Sequence, residues 1–262
     1  MKVVVIGGTG LIGSKLVARL AADGHDAVPA SPRLGVNAVT GEGLAAVLDG
    51  ASVVVDVTNS ANFEYLTALE YFERSTHNLL AAEAAAGVGH HVGLSVVGTQ
   101  DLWQGGDPTT TTAGYFRAKQ TQEDLVVASG VPYSLVHATQ FFEFIGGIAD
   151  QQTVGDTVRV PDVLLQPMAA DDVAAAIARV AAEPPVHGVS ETGGPEAFRF
   201  EDAIRRVLRA ATDPREVVTD PAATYYGITV SERTLVPEPG ERLGATRLDD
   251  WLLTTAGAHT AA

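Results

Sequence analysis

Two groups of residues in this chain have the types and spacing to do chemistry together. The first is Tyr115-Phe116-Arg117-Ala118-Lys119, which puts a phenol and an amine one helical turn apart on the same face. A phenol titrates near ~10 and is a poor acid–base group at neutral pH, but an ammonium fixed beside it favours the phenolate. The second is Val3-Val4-Val5-Ile6-Gly7-Gly8-Thr9-Gly10-Leu11-Ile12-Gly13, an apolar strand run leading directly into a glycine-rich turn. Gly7 allows the tight turn out of the strand, Gly10 lets backbone N–H groups approach a pyrophosphate, and Gly13 lets the following helix pack close to the sheet. That helix carries Leu16, Val17 and Leu20 on one face, and its partially positive N-terminus faces the phosphates. A dinucleotide cofactor is therefore expected here, touched by Gly7, Thr9, Gly10, Leu11, Ile12 and Gly13.

The elements that must position these groups alternate along the chain. Strands are expected at Val3–Ile6, Asp26–Ala30, Ser52–Asp56, His91–Ser95 and Tyr133–His137, separated by helical segments or Gly-containing turns. A long helix spans about Phe63 to Ala86, with Leu66, Leu69, Phe72, Leu79 and Leu80 as its buried stripe, and Gly87-Val88-Gly89 ends it. The fold class is α/β, a Rossmann-type doubly wound parallel sheet. Right-handed crossovers place all the strand carboxyl ends on one edge, where ligands bind. Gly7, Val57-Thr58-Asn59, Ser95-Val96 and His137-Ala138-Thr139 should converge there, with Val57, Thr58, His137 and Thr139 expected against the cofactor.

Residues 1–145 read as the dinucleotide-binding domain and 146–262 as a smaller C-terminal substrate-binding lobe packed on it, the two counting either as two units or as one domain. In the second part, Asp171-Asp172 reads as the N-cap of a helix over Val173–Ala182, and Gly193-Gly194-Pro195 marks a turn before a second helix near Phe200–Ala211. The polar stretch from Gly98 to Gly114, with four consecutive threonines, is either a solvated loop or a flap over the active site with Trp103 as an apolar plug.

Composition removes other chemistries. The chain has 262 residues, is 46% hydrophobic and contains no cysteine, which excludes disulfides, thiolate metal sites and a cysteine nucleophile. A formal charge of −15 disfavours nucleic acid and anionic membranes. No window holds about 18 uninterrupted apolar residues and no basic leader precedes the first strand, so a cytoplasmic soluble protein is expected, acting on a small molecule and possibly as a homo-oligomer. His90 and His91 are adjacent and point to opposite faces of a strand, and no histidine–carboxylate spacing suits zinc, so no metal is expected. His137 could contact cofactor or substrate or be a satisfied structural histidine. Phe141, Phe142, Phe144, Tyr225 and Tyr226 could form a substrate wall or plain core.

The cofactor type turns on the end of the second strand. An acidic residue there would bind the ribose 2′-hydroxyl and exclude a 2′-phosphate, but Asp26 sits at the wrong end. The strand ends in Ala30-Ser31-Pro32-Arg33, where Ser31 can hydrogen-bond a phosphate and Arg33 can pair with it. NADP(H) is expected over NAD(H).

With the glycine turn, the Leu94-Ser95 strand end, Tyr115 with Lys119, and Ser129-Gly130-Val131-Pro132-Tyr133-Ser134-Leu135-Val136-His137-Ala138-Thr139-Gln140-Phe141-Phe142, the chain resembles the short-chain dehydrogenase/reductase superfamily, in its atypical NmrA-like branch. The resemblance covers most of residues 1–145 and fades to Gln166-Pro167-Met168-Ala169-Ala170-Asp171-Asp172-Val173-Ala174. It implies that Tyr115 is the general acid for a carbonyl oxygen, that Lys119 binds the nicotinamide ribose and lowers the tyrosine pKa, and that Ser95 steadies the substrate oxygen. The chain departs from the pattern just beyond the strand end, where extended members carry the catalytic hydroxyl and this sequence has Val96 and Val97. The leading implication is an NAD(P)H-dependent reductase of a carbonyl, quinone or similar acceptor. A non-catalytic NADP(H)-sensing regulator and a non-redox epimerase, dehydratase or cyclase are the alternatives.

Overall fold

The computed structural model describes residues 1–107, 109 and 111–259. In chain order the elements are β1 (Lys2–Ile6), α1 (Leu11–Ala22), β2 (Asp26–Ala30), α2 (Leu44–Leu48), β3 (Val53–Asp56), α3 (Tyr65–Ala86), β4 (His90–Val96), α4 (Thr99–Gln104), α5 (Thr111–Ala128) and β5 (Tyr133–Ala138). There follow α6 (Ile145–Gln151), β6 (Thr153–Val154), β7 (Thr157–Val160), β8 (Leu164–Leu165), α7 (Ala170–Ala182), β9 (Val189–Thr192), β10 (Phe198–Arg199), α8 (Phe200–Ala210), β11 (Glu216–Thr219) and α9 (Leu248–His259). No helix among the described residues is long and apolar enough to cross a membrane.

Val3, Val4 and Val5 are fully buried in succession, as a strand covered on both faces requires. β1 accordingly lies inside a six-stranded, all-parallel sheet of order β2-β1-β3-β4-β5-β9. On one face Val3, Val5, Val53, Val55 and Val92 pack with Leu16 and Leu20 of α1 and Val173 and Ile177 of α7. On the other, Val4, Ile6 and Val54 pack with Leu44 and Leu48 of α2 and Leu79 of α3. This is the expected Rossmann-type doubly wound sheet. Strand order reverses between β1 and β3, so a crevice opens outside their carboxyl ends, flanked by Gly7 and by Val57-Thr58.

Several expectations change. The boundary at residue 145 is crossed, because α7 packs on α1 and β9 pairs with β5 as the sixth strand. Among the described residues four α-helices, not two, follow residue 140. Leu66 is 69% exposed, since in the first turn of α3 it lies off the face formed by Ala68, Phe72, Thr76, Leu79 and Glu83. Asp171 and Asp172 lie in the first turn of α7 behind an Ala169 N-cap. There Asp171 pairs with Lys15 of α1 at 2.8 Å, and Asp172 accepts the Thr246 N–H at 2.8 Å. The 98–114 stretch is no continuous loop: α4 and the start of α5 occupy most of it, while Pro108 and Thr110 fall outside the described residues. Trp103 lies within α4, under the Arg117 guanidinium at 4.5 Å.

The sheet and α1 meet at one tight point. A Cβ on Gly13 would lie 2.1 Å from the Gly7 carbonyl oxygen and 2.7 Å from Gly8 Cα, so α1 can begin this close to β1 only because Gly13 has no side chain. Gly10 is less constrained, with the nearest atom 3.3 Å away. Gly13→Ala is expected to lower the unfolding free energy by about 3 kcal/mol, the scale of a forced backbone shift. Gly10→Ala should cost clearly less, and denaturant unfolding of both variants to equal stabilities would contradict this reading of the packing.

Candidate functional site

The glycine turn is built from backbone bonds that leave its outer surface open. Gly7, at φ +83°, donates its N–H to Ala30 at 2.9 Å, and Gly10 donates to the Gly7 carbonyl at 2.9 Å. Gly8 is required as well, because a Cβ there would lie 2.7 Å from Pro29 Cα and 2.8 Å from the Val5 carbonyl. That requirement comes from β2 across the sheet and is not visible in the local spacing. Gly10 is the N-cap of α1, extended and without a side-chain cap, and no acidic residue stands in the first turn. The first-turn N–H groups of Leu11, Ile12 and Gly13 have no carbonyl one turn back to bond, which suits an anion. Thr9, Gly10 and Leu11 are exposed; Ile12 and Gly13 are buried beneath them.

The end of β2 adds two more donors. Ser31 is 5% exposed and its hydroxyl has no hydrogen-bond partner, next to the Ala30 carbonyl that anchors Gly7 and Gly8. Arg33 stands exposed in the 3₁₀ turn Pro32–Leu34 and makes no ion pair among the described residues. A cradle that a Cβ would fill, an uncapped helix start and an orphaned buried hydroxyl together fit the phosphates of a dinucleotide. Val57 and Thr58 reach the same place, since a Cβ on Gly7 would lie 3.2 Å from the Thr58 nitrogen and the Val57 carbonyl.

Tyr115 and Lys119 both lie on α5 and both are buried, at 8% and 3% exposure. Tyr115 donates its phenol to Asn59 Oδ1 at 2.9 Å, and its ring meets Phe63 edge-on at 4.9 Å. Lys119 donates to the Leu94 carbonyl at 2.8 Å and to Gln122 Oε1 at 2.5 Å, and lies 4.9 Å above the Phe72 ring. The expected tuning of the phenol by this ammonium is not what the structure shows. Burial pushes the Tyr115 phenol well above its ordinary value, opposed only by the Asn59 bond. Burial likewise brings Lys119 down to about 8, against the pull of Asp56 and Glu123. Spacing on the helix brought the two side chains to one face, but each is committed to a different partner.

Ser95 is buried on β4 and donates its hydroxyl to Glu123 Oε1. Glu123 Oε2 lies 3.2 Å from His137 Nε2. Burial raises the Glu123 carboxyl, yet the His137, Ser95 and Lys119 groups together hold it below its usual range. Gln122 continues the network by donating to Asp56 Oδ2 at 3.1 Å, and Asp56 Oδ1 accepts the Thr58 N–H at 2.9 Å. Thr139 is an anchor, donating to the Gln166 carbonyl at 2.6 Å. Sequence reasoning missed Glu123, Gln122 and Asp56; Glu123 stands one turn past Lys119 on the same face of α5, a signal that was available. His90 and His91 have separate partners, Ser134 at 2.8 Å and Glu83 at 2.9 Å. Of the aromatic group, Phe142 and Tyr225 are core, and Phe144 is 52% exposed and stacked on Phe141 at 5.5 Å.

Comparison with known proteins agrees with this construction. The NAD(P)H-binding family matches residues 7–184. No curated protein matches the chain. Among solved structures, an NAD-bound short-chain dehydrogenase/reductase superfamily protein from Agrobacterium tumefaciens superposes with a TM-score of 0.74 at 17% identity, covering 100% of this chain and 98% of that one. A UDP-glucose 4-epimerase from Thermus thermophilus in complex with NAD gives 0.70 at 18% identity, with both chains covered at 100%. An NAD-dependent NDP-hexosamine 5,6-dehydratase of tunicamycin biosynthesis gives 0.69 at 16% identity, covering 100% of this chain and 98% of that one. At these identities the likeness is one of fold, and the family assignment rests on the match to the chain itself. The chain belongs to the NAD(P)H-binding family and shares the fold of these dehydrogenase/reductase, epimerase and dehydratase structures.

Proposed function

We propose that the protein is an NADPH-dependent reductase of a small carbonyl or quinone, with Tyr115 as proton donor. The observation that carries this reading is the state of the phenol: buried, hydrogen-bonded through its proton, and raised in pKa, so that it stays protonated across the physiological range. A phenol held that way is a weak acid, but it carries the proton that the oxygen of a reduced carbonyl, an alkoxide more basic than a phenolate, would take up, whereas no phenolate stands ready to abstract one. That favours reduction over the epimerase-like chemistry which the same fold also carries. When bound, the reduced nicotinamide supplies a hydride. As the carbonyl π bond opens, Tyr115 would pass its proton to the substrate oxygen, and the phenolate would take a proton back from solvent before the next turnover. The chain's own part is to hold the phosphates at the glycine turn and Ser31, to keep the reacting oxygen at Tyr115, and to fix the phenol ring between Phe63, Phe72 and Phe116.

The preference for NADPH rests on Ser31 and Arg33, with no acidic side chain at the end of β2 to reject a 2′-phosphate. Lys119 holds the ribose side in this reading, its ammonium retained in the buried site by Asp56 and Glu123. A specific observation favours one other reading. Lys119 is already bonded to Leu94 and Gln122, and Tyr115 to Asn59, as in a protein that binds its nucleotide without turnover. We further propose a small-molecule substrate and no nucleic-acid or membrane partner.

Purified protein with NADPH and a panel of quinones and ketones separates these readings. Turnover is expected, and Tyr115→Phe should lower kcat by about 10²–10⁴ while leaving NADPH affinity unchanged; binding without turnover, or an indifferent Tyr115→Phe, supports the regulator instead. Calorimetry with Arg33→Ala should show NADPH binding weakened by about tenfold or more and NADH binding unchanged, at about 1.4 kcal/mol per tenfold; an unaltered preference overturns the assignment. Because Lys119 is charged below its lowered pKa and neutral above it, NADPH affinity should fall as pH rises through about 8. Affinity that is flat across that range contradicts its role.

A further inference from the structure

The geometry points to Asn59 as the second hydrogen-bonding residue for the substrate oxygen in the proposed reaction. Negative charge developing on a carbonyl oxygen is best held by more than one preorganised donor, and Tyr115 supplies one. The hydroxyls at the end of β4 do not supply another: Ser95 donates to Glu123, Thr99 donates to the Val96 carbonyl at 2.6 Å, and residues 96 and 97 are valines. Asn59 follows β3 on the sheet edge that forms the crevice and is exposed, while the phenol it meets is buried. Its amide is therefore a polar group that solvent reaches and that is in direct contact with the buried phenol.

In the free protein Asn59 Oδ1 accepts the Tyr115 proton at 2.9 Å, and it is itself a carbonyl-type oxygen. It marks the place that the oxygen of an entering substrate takes. No donor bond from Asn59 Nδ2 is made among the described residues, so when the substrate oxygen replaces Oδ1 a rotation of the amide turns an N–H₂ donor toward that same oxygen. The neighbouring turn steadies the residue without using its amide. Ser60 donates to the Asn62 carbonyl at 2.6 Å, and Asn62 Oδ1 accepts the Glu64 N–H at 2.8 Å. During reduction the substrate carbon takes the hydride and the oxygen takes the Tyr115 proton, as above, and Asn59 exchanges no atoms. Its contribution is to hold the oxygen while charge builds.

This inference rests on the reductase reading, and the test distinguishes the two. Wild type, Asn59→Leu and Asn59→Asp are compared for NADPH oxidation with menadione, for NADPH binding by calorimetry and for thermal unfolding. Asn59→Leu is expected to lower kcat by about 10²-fold with NADPH affinity and unfolding midpoint unchanged. Asn59→Asp keeps an acceptor but loses the donor, so it should match Asn59→Leu near neutrality. Its rate relative to wild type should climb as pH falls toward the carboxyl's own titration near ~4, because the protonated acid can donate again. A rate raised by Asn59→Leu would mean that Asn59 only obstructs the site and overturns the proposal. So would a loss traced to weaker NADPH binding or a lower unfolding midpoint, or an Asn59→Asp ratio that ignores pH. Wild type that binds NADPH but oxidises none with menadione overturns this proposal together with the reductase reading, whereas turnover untouched by Asn59→Leu overturns this proposal alone.

Discussion

A missing side chain at one position sets the geometry of everything at the carboxyl edge of the sheet. With the Gly7 carbonyl only 2.1 Å from where a Gly13 Cβ would stand, α1 starts directly on top of the turn that ends β1. The helix dipole and its unpaired N–H groups then face the crevice between β1 and β3 instead of bulk solvent. Gly8 fits against Pro29 by the same logic, which ties the end of β2 to the turn and brings the unpartnered Ser31 hydroxyl alongside. Remove that close approach and the phosphate cradle, the position of Ser31 and the alignment of β3 with the turn all loosen together.

Behind the crevice lies a different kind of construction. Asp56, Lys119, Gln122, Glu123, Ser95 and His137 are all buried and joined largely by hydrogen bonds and close charge contacts from β3, β4, α5 and β5. Burying one ammonium and two carboxylates is costly unless each is paired, and the network supplies the pairing. It also explains why Lys119 cannot serve as a simple neighbour of Tyr115. The ammonium is drawn inward to the Leu94 carbonyl and Gln122, and the phenol, left among Phe63, Phe72 and Phe116, becomes a weaker acid.

The parallel core was legible because its strands are buried on both faces and read as apolar runs; Val3–Ile6 and Val53–Asp56 needed no tertiary information. The glycine turn was legible because its steric demands fall within one strand–turn–helix unit. Gly8 escaped because its constraint is Pro29, a residue from another strand. The spacing of Tyr115 and Lys119 correctly put both on α5, but spacing carries no account of competing partners, and Leu94, Gln122 and Asn59 decided where each side chain went. β9 and α7 were read as part of the smaller lobe because β9, Val189–Thr192, is short and only partly buried at the sheet edge, so its pattern lacks the apolar signature of the inner strands. α4 was hidden by a polar, glycine-flanked composition whose helicity depends on packing against α5.

The central claim is that the turn between β1 and α1 grips the diphosphate of a nicotinamide dinucleotide. Amide chemical shifts recorded while NADPH is titrated into the protein test it most directly. Saturable shifts concentrated at Gly7 through Gly13 and at Ser31 are the predicted result. Shifts located elsewhere, or none at concentrations where a nicotinamide enzyme would be saturated, would contradict it.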